Sequence, residues 1–162
     1  MVEIKKASTD AQIKEIACLA HQIWHEHFTP IIGSSQVDYM LEKFQSYSAI
    51  HQAVSCEGYS YYMLYDEGVF CGYCGVHPED GALFLSKLYI EKSHRGKKLS
   101  KQLLARIKHD FADCCKIWLT VNRHNENTIA AYQKMGFSIV REQKADIGNG
   151  FVMDDYIMEC PL

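Results

Sequence analysis

The first third of the chain has the apolar spacing of an amphipathic helix. Thr9 followed by Gln12 has the pattern of a capping box, which marks the start of a helix. Pro30 and Gly33 then end that helix. Between these signals, apolar residues recur three and four positions apart, as one buried helix face requires. They are Ile13, Ile16, Ala17, Ala20, Ile23, Trp24 and Phe28.

The middle of the chain changes to the pattern of β-strands. Residues 59–65 are rich in aromatic side chains, and a turn at residues 66–68 leads into a second strand. Pro78 lies in the next predicted turn, before a third strand that ends near Ile90. Short loops between consecutive strands predict an antiparallel meander.

The second half of the chain alternates between helical and strand patterns. Leu99, Leu103 and Ile107 repeat every four residues, as one helix face does. Gly136 follows another helical segment as a closing glycine. This order predicts one α/β domain over residues 1–162 around a single sheet. The predicted strands are residues 3–5, 59–65, 69–76, 82–90, 116–121, 138–141 and 152–159, and the later helices are residues 35–44, 49–54, 96–111 and 125–135.

Composition excludes several classes of protein. The chain has 162 residues, which fits one domain, and a formal net charge of −3. A broad nucleic-acid-binding surface would be basic instead. No apolar run approaches the ~20 residues of a membrane span, and no secretion signal precedes the first predicted strand. We therefore expect a cytoplasmic protein with neither nucleic acid nor membrane as a partner.

The cysteines predict free thiols rather than a metal site. Seven are present, an odd number that suits a reducing compartment. Cys71 and Cys74 have the C-x-x-C spacing of redox or zinc sites. Zinc normally needs four ligands, and neither a second such pair nor a nearby pair of histidines completes the set. We expect no metal.

The stretch over residues 88–102 has the features of an anion-binding site. A strand ends there, a short polar loop follows, and a helix is predicted from about Gly96. The first turn of a helix offers unpaired backbone N–H groups and a partial positive charge. Arg95, Lys97 and Lys98 oppose that dipole unless an anion lies among them. The alternative is a solvated basic helix end, and the nucleotide motifs GxxxxGK[ST] and GxGxxG are absent.

Two motifs resemble those of the GNAT superfamily of N-acetyltransferases. Residues 95–100 read RGKKLS and are followed by two leucines, similar to the family's acyl-CoA-binding RGKGIG run. Lys98 and Ser100 replace small residues of that run. Residues 127–137 are similar to the family's N-x-x-A-x-x-Y-x-x-x-G-F run and also follow a predicted strand. The resemblance covers roughly residues 59–159. It implies a mixed, mostly antiparallel central sheet with helices on both faces.

The resemblance also implies the residues of an acetyl-CoA site. The backbone of Leu88, Tyr89 and Ile90 would bind the pantetheine arm, and an N–H near Ile90 would face the oxyanion. Asn127 would contact the arm of the co-substrate, and Tyr132 would contact it and protonate the leaving thiolate. The pyrophosphate would lie on a cradle made of Arg95, Gly96, Lys97, Lys98, Leu99 and Ser100.

Lys98 is the position where this implied cradle is least regular. A positive φ at a lysine costs about 1–2 kcal/mol. A right-handed first helical turn carries no such cost. We therefore expect right-handed geometry at Lys98.

The implied reaction moves an acetyl group from acetyl-CoA to a primary amine by direct attack. The acceptor is a small amine, a polyamine, an amino acid or a peptide amine, and the sequence does not choose among them. A non-catalytic acyl-CoA-binding module or an interaction protein of the same fold is the alternative. Exposed strand edges near the C-terminus also make a homodimer plausible.

The general base is not assigned by the sequence. Asp154 and Asp155 either meet a cationic amine or mark a solvated strand edge. The candidates for the base by residue type, besides a water chain, are Glu91, Glu79, Asp80, His77, His25 and His27. The residues that either line an acceptor pocket or belong to the core are Trp24, His27, Phe28, Tyr39, Tyr61 and Tyr156.

Overall fold

A seven-stranded mixed sheet organises the chain in the computed structural model, which describes residues 1–162. The strands are β1 (Val2–Lys6), β2 (Ser60–Asp66), β3 (Val69–Glu79), β4 (Ala82–Ile90), β5 (Lys116–Asn122), β6 (Ser138–Gly148) and β7 (Phe151–Pro161). The helices are α1 (Asp10–His27), α2 (Thr29–Ile32), α3 (Ser34–Met40), α4 (Tyr47–Cys56), α5 (Leu99–Asp110) and α6 (Glu126–Lys134). A π-helical turn (Leu41–Gln45) precedes α4, and a 3-10 turn (Lys92–His94) follows β4.

The sheet consists of two antiparallel parts joined by one parallel pair of strands. Its order is β1-β2-β3-β4-β5-β7-β6. Strands β2 to β4 form the predicted meander, β1 pairs antiparallel with β2, and β7 pairs antiparallel with both β5 and β6. Only β4 and β5 are parallel, and α5 connects them. The edges of the sheet are therefore β1 and β6.

Side chains alternate between two hydrophobic cores, one on each face of the sheet. In β2, Tyr61 and Met63 face one core while Tyr62 and Leu64 face the other. The first core contains the apolar faces of α1, α3 and α4, and the second contains those of α5 and α6. Helices thus cover both faces, and the predicted fold class is confirmed.

The start of α1 forms as the sequence predicts. The Thr9 side chain accepts a hydrogen bond from the Gln12 amide, and the Gln12 side chain accepts one from the Thr9 amide at 3.1 Å. These two bonds satisfy amides that a helix start would otherwise leave unpaired.

Several predicted boundaries are wrong because pairing partners extend the strands. Strand β3 runs through Pro78 to Glu79, where the prediction placed a turn, because residues 76–79 pair with β4. The last two strands are longer than predicted, since β6 and β7 pair along most of their length. The start of α5 also differs from the prediction, for a different reason. This helix begins at Leu99 rather than near Gly96, because Gly96 and Lys98 both have a positive φ.

The cysteine pair Cys71 and Cys74 belongs to the core. Both side chains are fully buried, and all the cysteines of the chain are free thiols. Burial raises the pKa of Cys74 to about 12. No cluster of three or more His, Cys, Asp or Glu side chains is arranged to hold a metal ion.

None of the helices combines the length and the apolar character that crossing a membrane requires.

Candidate functional site

The parallel strands β4 and β5 separate soon after they meet, and this gap opens a large cavity. They pair only at Leu83 with Ile117 and at Phe84 with Trp118. A register shift at the next position of β4 leaves Ser86 without a partner on β3. The cavity of about 1010 Å³ that results is lined by the diverging ends of both strands.

A row of unpaired backbone N–H groups lies at one end of this cavity. None of the amides of residues 96–101 donates a hydrogen bond within the chain, because α5 begins at Leu99 without a side-chain cap. Such a row forms a concave anion site, which the helix dipole reinforces. Arg95, Lys98 and Ser100 line the cavity beside it. The unpaired amides and these side chains therefore lie together at one end of the cavity.

The geometry at Lys98 differs from the expectation. Its φ is 60° and its ψ is 28°, which is left-handed rather than right-handed. Lys98 is the N-cap residue, and it turns the chain from the extended Arg95 and the positive φ of Gly96 into α5. The turn that exposes the amides thus requires left-handed backbone at a residue with a side chain.

Replacing Lys98 by glycine should stabilise the protein. Relief of the left-handed strain, offset by the greater freedom of glycine in the unfolded chain, should raise the free energy of unfolding by about 0.5–1 kcal/mol. Urea denaturation measures this value. Lys98→Ala is the matched control, because it removes the same charge and keeps the strain. Equal stability of the two variants would contradict the prediction.

Ion pairs and hydrogen bonds hold the loop between β4 and α5 in place. Arg95 Nε donates to the Ile90 carbonyl oxygen at 3.0 Å, which ties the loop to the end of β4. Glu91 caps the 3-10 turn by accepting from the Ser93 amide at 3.1 Å. Hydrogen bonds from Ser93 and His94 lower the pKa of Glu91 to about 2. Glu91 is therefore a poor proton acceptor. It also lies outside the cavity lining.

All the predicted acetyl-CoA residues except Lys97 line this one cavity. The Lys97 ammonium instead donates to Asp66 Oδ2 at 2.9 Å, so its side chain turns away to the end of β2. The others are Leu88, Tyr89, Ile90, Arg95, Gly96, Lys98, Leu99, Ser100, Asn127 and Tyr132.

Tyr132 reaches the cavity from α6. Its ring packs edge-on against Phe137, with centroids 5.4 Å apart, and its hydroxyl makes no hydrogen bond within the chain. Burial raises the pKa of Tyr132, so the phenol stays protonated at neutral pH. A protonated, unpartnered hydroxyl in a cavity is available as a proton donor.

The opposite wall of the cavity is aromatic and belongs to the N-terminal helices. Trp24 and Phe28 pack edge-on against Tyr89, with centroids 5.7 and 6.0 Å apart. His27 Nε2 lies 3.1 Å from Asn125 Oδ1, and burial lowers the pKa of His27. The remaining aromatic candidates, Tyr39, Tyr61 and Tyr156, lie outside the cavity lining.

Of the bases proposed by residue type, only His27 lines the cavity. His25 pairs with the Asp38 carboxylate at 3.0 Å on the surface. His77 and Glu79 pair with each other at the end of β3, and Asp80 lies in the exposed turn that follows.

Lys87 and Asp155 are charged residues of the cavity that the sequence did not reveal. Lys87 donates to the Phe44 carbonyl oxygen at 2.8 Å and to the Tyr61 hydroxyl at 2.6 Å, and burial lowers its pKa to about 8. Asp155 is only 3% exposed. The solvated-edge interpretation of Asp155 is wrong because β7 lies inside the sheet, between β5 and β6.

The site thus combines two separating parallel strands with a row of unpaired amides at one end of a cavity. The sequence model of the Acetyltransferase (GNAT) family matches residues 20–137. The chain therefore belongs to this family.

Relatives in this family are similar over part of the chain. It is 32% identical over 99 residues to a probable spermine N(1)-acetyltransferase of Bacillus subtilis subsp. natto. It is 31% identical over 99 residues to a spermine/spermidine N(1)-acetyltransferase of Bacillus subtilis strain 168. Each match covers 54% of this chain and 65% of the relative, so the chain spans just under two thirds of the length of these relatives.

A solved structure shares the whole fold. The PaiA N-acetyltransferase of Thermoplasma acidophilum, solved in complex with coenzyme A, superposes with a TM-score of 0.83 at 18% identity. The match covers 100% of this chain and 99% of that one. At this identity the likeness establishes the fold alone.

Proposed function

We propose that this protein transfers an acetyl group from acetyl-CoA to a primary amine, by direct attack of the amine on the thioester. One observation carries the proposal: the anion cradle, the unpaired end of β4 and the Tyr132 hydroxyl all line a single cavity. Family membership is consistent with this reaction.

The cavity residues fit the parts of acetyl-CoA. The free amides of residues 96–101, with Arg95 and Lys98 beside them, would hold the pyrophosphate. The pantetheine arm carries amide groups, which would continue the sheet by bonding the backbone of β4 where β5 has separated from it. Asn127 at the start of α6 would bind the arm from the other side.

Two groups would act on the reacting atoms. A backbone N–H near the end of β4 would donate to the oxyanion of the tetrahedral intermediate. Tyr132 would donate its proton to the sulfur as the C–S bond breaks. No protein nucleophile is required, which agrees with the absence of an exposed cysteine from the cavity lining.

The acceptor would enter from the aromatic wall opposite the cradle. Aromatic faces attract cations, and Glu57 and Asp155 add carboxylates to the same cavity. Relatives named for spermine acetylation support a polyamine acceptor, although amino acids and peptide amines also carry a primary amine.

A panel of amines tests the proposal directly. The purified protein is mixed with acetyl-CoA and, separately, spermine, spermidine, lysine and a short peptide with a free N-terminus. Mass spectrometry should detect one acetylated amine and an equal amount of free coenzyme A. Binding of acetyl-CoA without acetylation of any amine would favour the non-catalytic module instead.

We further propose a cytoplasmic homodimer. Free cysteines are compatible with a reducing compartment. The edge strand β6 exposes Ile139 at 41% and Val140 at 50%, and an unpaired edge of this kind can join a second copy. Light scattering should give twice the 18.6 kDa mass of the chain, and a monomer at high concentration would refute the dimer.

A further inference from the structure

Asp155 is a buried carboxylate that nothing in the chain neutralises. Its side chain is only 3% exposed and forms neither a hydrogen bond nor an ion pair. The adjacent Asp154 is different, because Arg123 Nε donates to its carboxylate at 2.8 Å. A buried charge without a partner is costly to fold and is retained mainly where a ligand supplies the partner.

The position of Asp155 puts it beside the gap between β4 and β5. It pairs in register with Asn122, the last residue of β5, where that strand has left β4. Its side chain lines the same cavity as Tyr89 and Tyr132. The carboxylate therefore lies next to the place where the thioester would meet the acceptor.

Strand alternation assigns Asp155 to the acceptor side of the sheet. Residues two apart on a strand share a face, and Met153 packs against the core of the N-terminal helices. Tyr132 belongs to the other core, with α5 and α6. Asp155 and Tyr132 thus approach the gap from opposite faces, as a proton acceptor and a proton donor for two different atoms would.

The chemistry of the cavity indicates the partner of Asp155. A phosphate or any other anion would be repelled, and no further carboxylate, histidine or cysteine joins it in a metal-binding cluster. Trp24, Phe28 and Tyr89 form an aromatic wall in the same cavity, which favours an organic cation. A primary ammonium group meets both requirements.

We propose that Asp155 binds the ammonium group of the acceptor and takes its first proton, an inference that rests on the proposed acetyl transfer. The neutral amine then attacks the thioester carbon, the C–N bond forms and the C–S bond breaks. The second amine proton replaces the one that Tyr132 gives to the sulfur, and Asp155 releases its proton to water. The products are the acetamide, the thiol of coenzyme A and one proton.

The pH dependence of catalysis follows from this role. Burial, and secondarily the Asp154 charge, raise the pKa of Asp155 to about 6. The ionisable groups that couple to it most directly are Tyr89 from β4 and, through Tyr89, Tyr132 from α6, while Arg123 neutralises the adjacent Asp154. The other ionisable groups that line the same cavity are His27, Lys43, Glu57, Tyr59, Lys87, His94, Arg95 and Lys98. The wild-type kcat/KM should fall below about pH 6 and be level between pH 7 and 9, because the charged carboxylate accepts the proton of the ammonium form.

The variant Asp155→Asn tests the inference with spermidine, or with the best amine of the panel. Its kcat/KM at pH 7 should fall about 100-fold. It should then rise about tenfold per pH unit from pH 6 to 9, since only the scarce neutral amine can react. Acetyl-CoA affinity should be unchanged. Asp155→Ser replaces the variant if Asp155→Asn does not fold.

Two controls separate Asp155 from its neighbours. Asp154→Asn should keep the level profile and move its acid limb slightly to lower pH, because the Asp154 charge, the smaller of the two causes that raise the pKa of Asp155, is gone. A level profile in Asp155→Asn, or loss of the level region in His27→Gln instead, would overturn the assignment to Asp155.

A stability measurement keeps the inference separate from the proposed function. A carboxyl group whose pKa is higher in the folded than in the unfolded state stabilises the fold at low pH. This stabilisation is lost as the pH rises through the folded pKa. The thermal midpoint of the wild type should therefore fall between pH 4 and 7 relative to that of Asp155→Asn. If this difference in thermal midpoint is observed but no amine is acetylated, only the proposed acetyl transfer is rejected. If the difference is not observed, Asp155 is not an unpaired buried carboxylate, and the inference that depends on it is rejected.

Discussion

Tyr132→Phe should lower kcat by about 100-fold while leaving acetyl-CoA affinity nearly unchanged. The substitution removes only the hydroxyl, which makes no bond within the chain, and the ring keeps its contact with Phe137. Loss of a positioned general acid typically costs about 100-fold or more. Release of thiol from acetyl-CoA measures kcat, and calorimetry measures the affinity.

Two further tyrosines make this result specific to Tyr132. Tyr156→Phe alters a tyrosine outside the cavity and should leave kcat unchanged. Tyr89→Phe alters a partly buried tyrosine of the cavity wall, whose pKa is also raised by burial. A wild-type rate in Tyr132→Phe combined with a large loss in Tyr89→Phe would move the acid role to Tyr89.

Gly72→Ala should destabilise the protein by about 2 kcal/mol and also weaken acetyl-CoA binding. A Cβ atom on Gly72 would lie 2.6 Å from Ile90 Cδ1 and 3.0 Å from the Tyr89 carbonyl oxygen. The Ile90 side chain can rotate away from this Cβ atom. The Tyr89 carbonyl can move only together with the backbone, so the end of β4 must shift. Loss of one hydrogen bond to the pantetheine arm, about 1.4 kcal/mol, corresponds to about tenfold weaker binding.

Gly75→Ala is the matched control for this substitution. Its Cβ would lie 2.9 Å from Tyr61 Cζ, so it should also destabilise the protein. It pairs with Lys87 rather than with the end of β4. Urea denaturation should therefore show both variants destabilised, and calorimetry should show weaker binding in Gly72→Ala only. Equal affinities of the two variants would contradict a role for the end of β4.

The order of elements was predictable because each segment has a clear local period. The four-residue spacing of Leu99, Leu103 and Ile107 places one side of α5 in the core, as the pattern requires. The lengths of β6 and β7 were not predictable, since β6 is mostly exposed on both faces. It extends because β7 offers hydrogen bonds along its length, which is a tertiary effect.

The candidate site was predictable only where a local motif carries it. The residues of the cradle and Tyr132 follow from two short runs, and the cavity contains all of them except the side chain of Lys97. Lys98 was misjudged because its backbone depends on the turn that enters α5. Asp155 and Lys87 are charged residues whose burial depends on neighbouring elements, which no local pattern reveals.

Calorimetric titration of acetyl-CoA into the purified protein is the most direct test of the acetyl-CoA site. We expect one site per chain, with weaker binding of 3′-dephospho-CoA and no comparable binding of ATP or NADH. Arg95→Ala should weaken the same titration, because that residue ties the cradle to the end of β4. A titration without measurable binding at saturating acetyl-CoA would contradict the acetyl-CoA site and the acetyl transfer that depends on it.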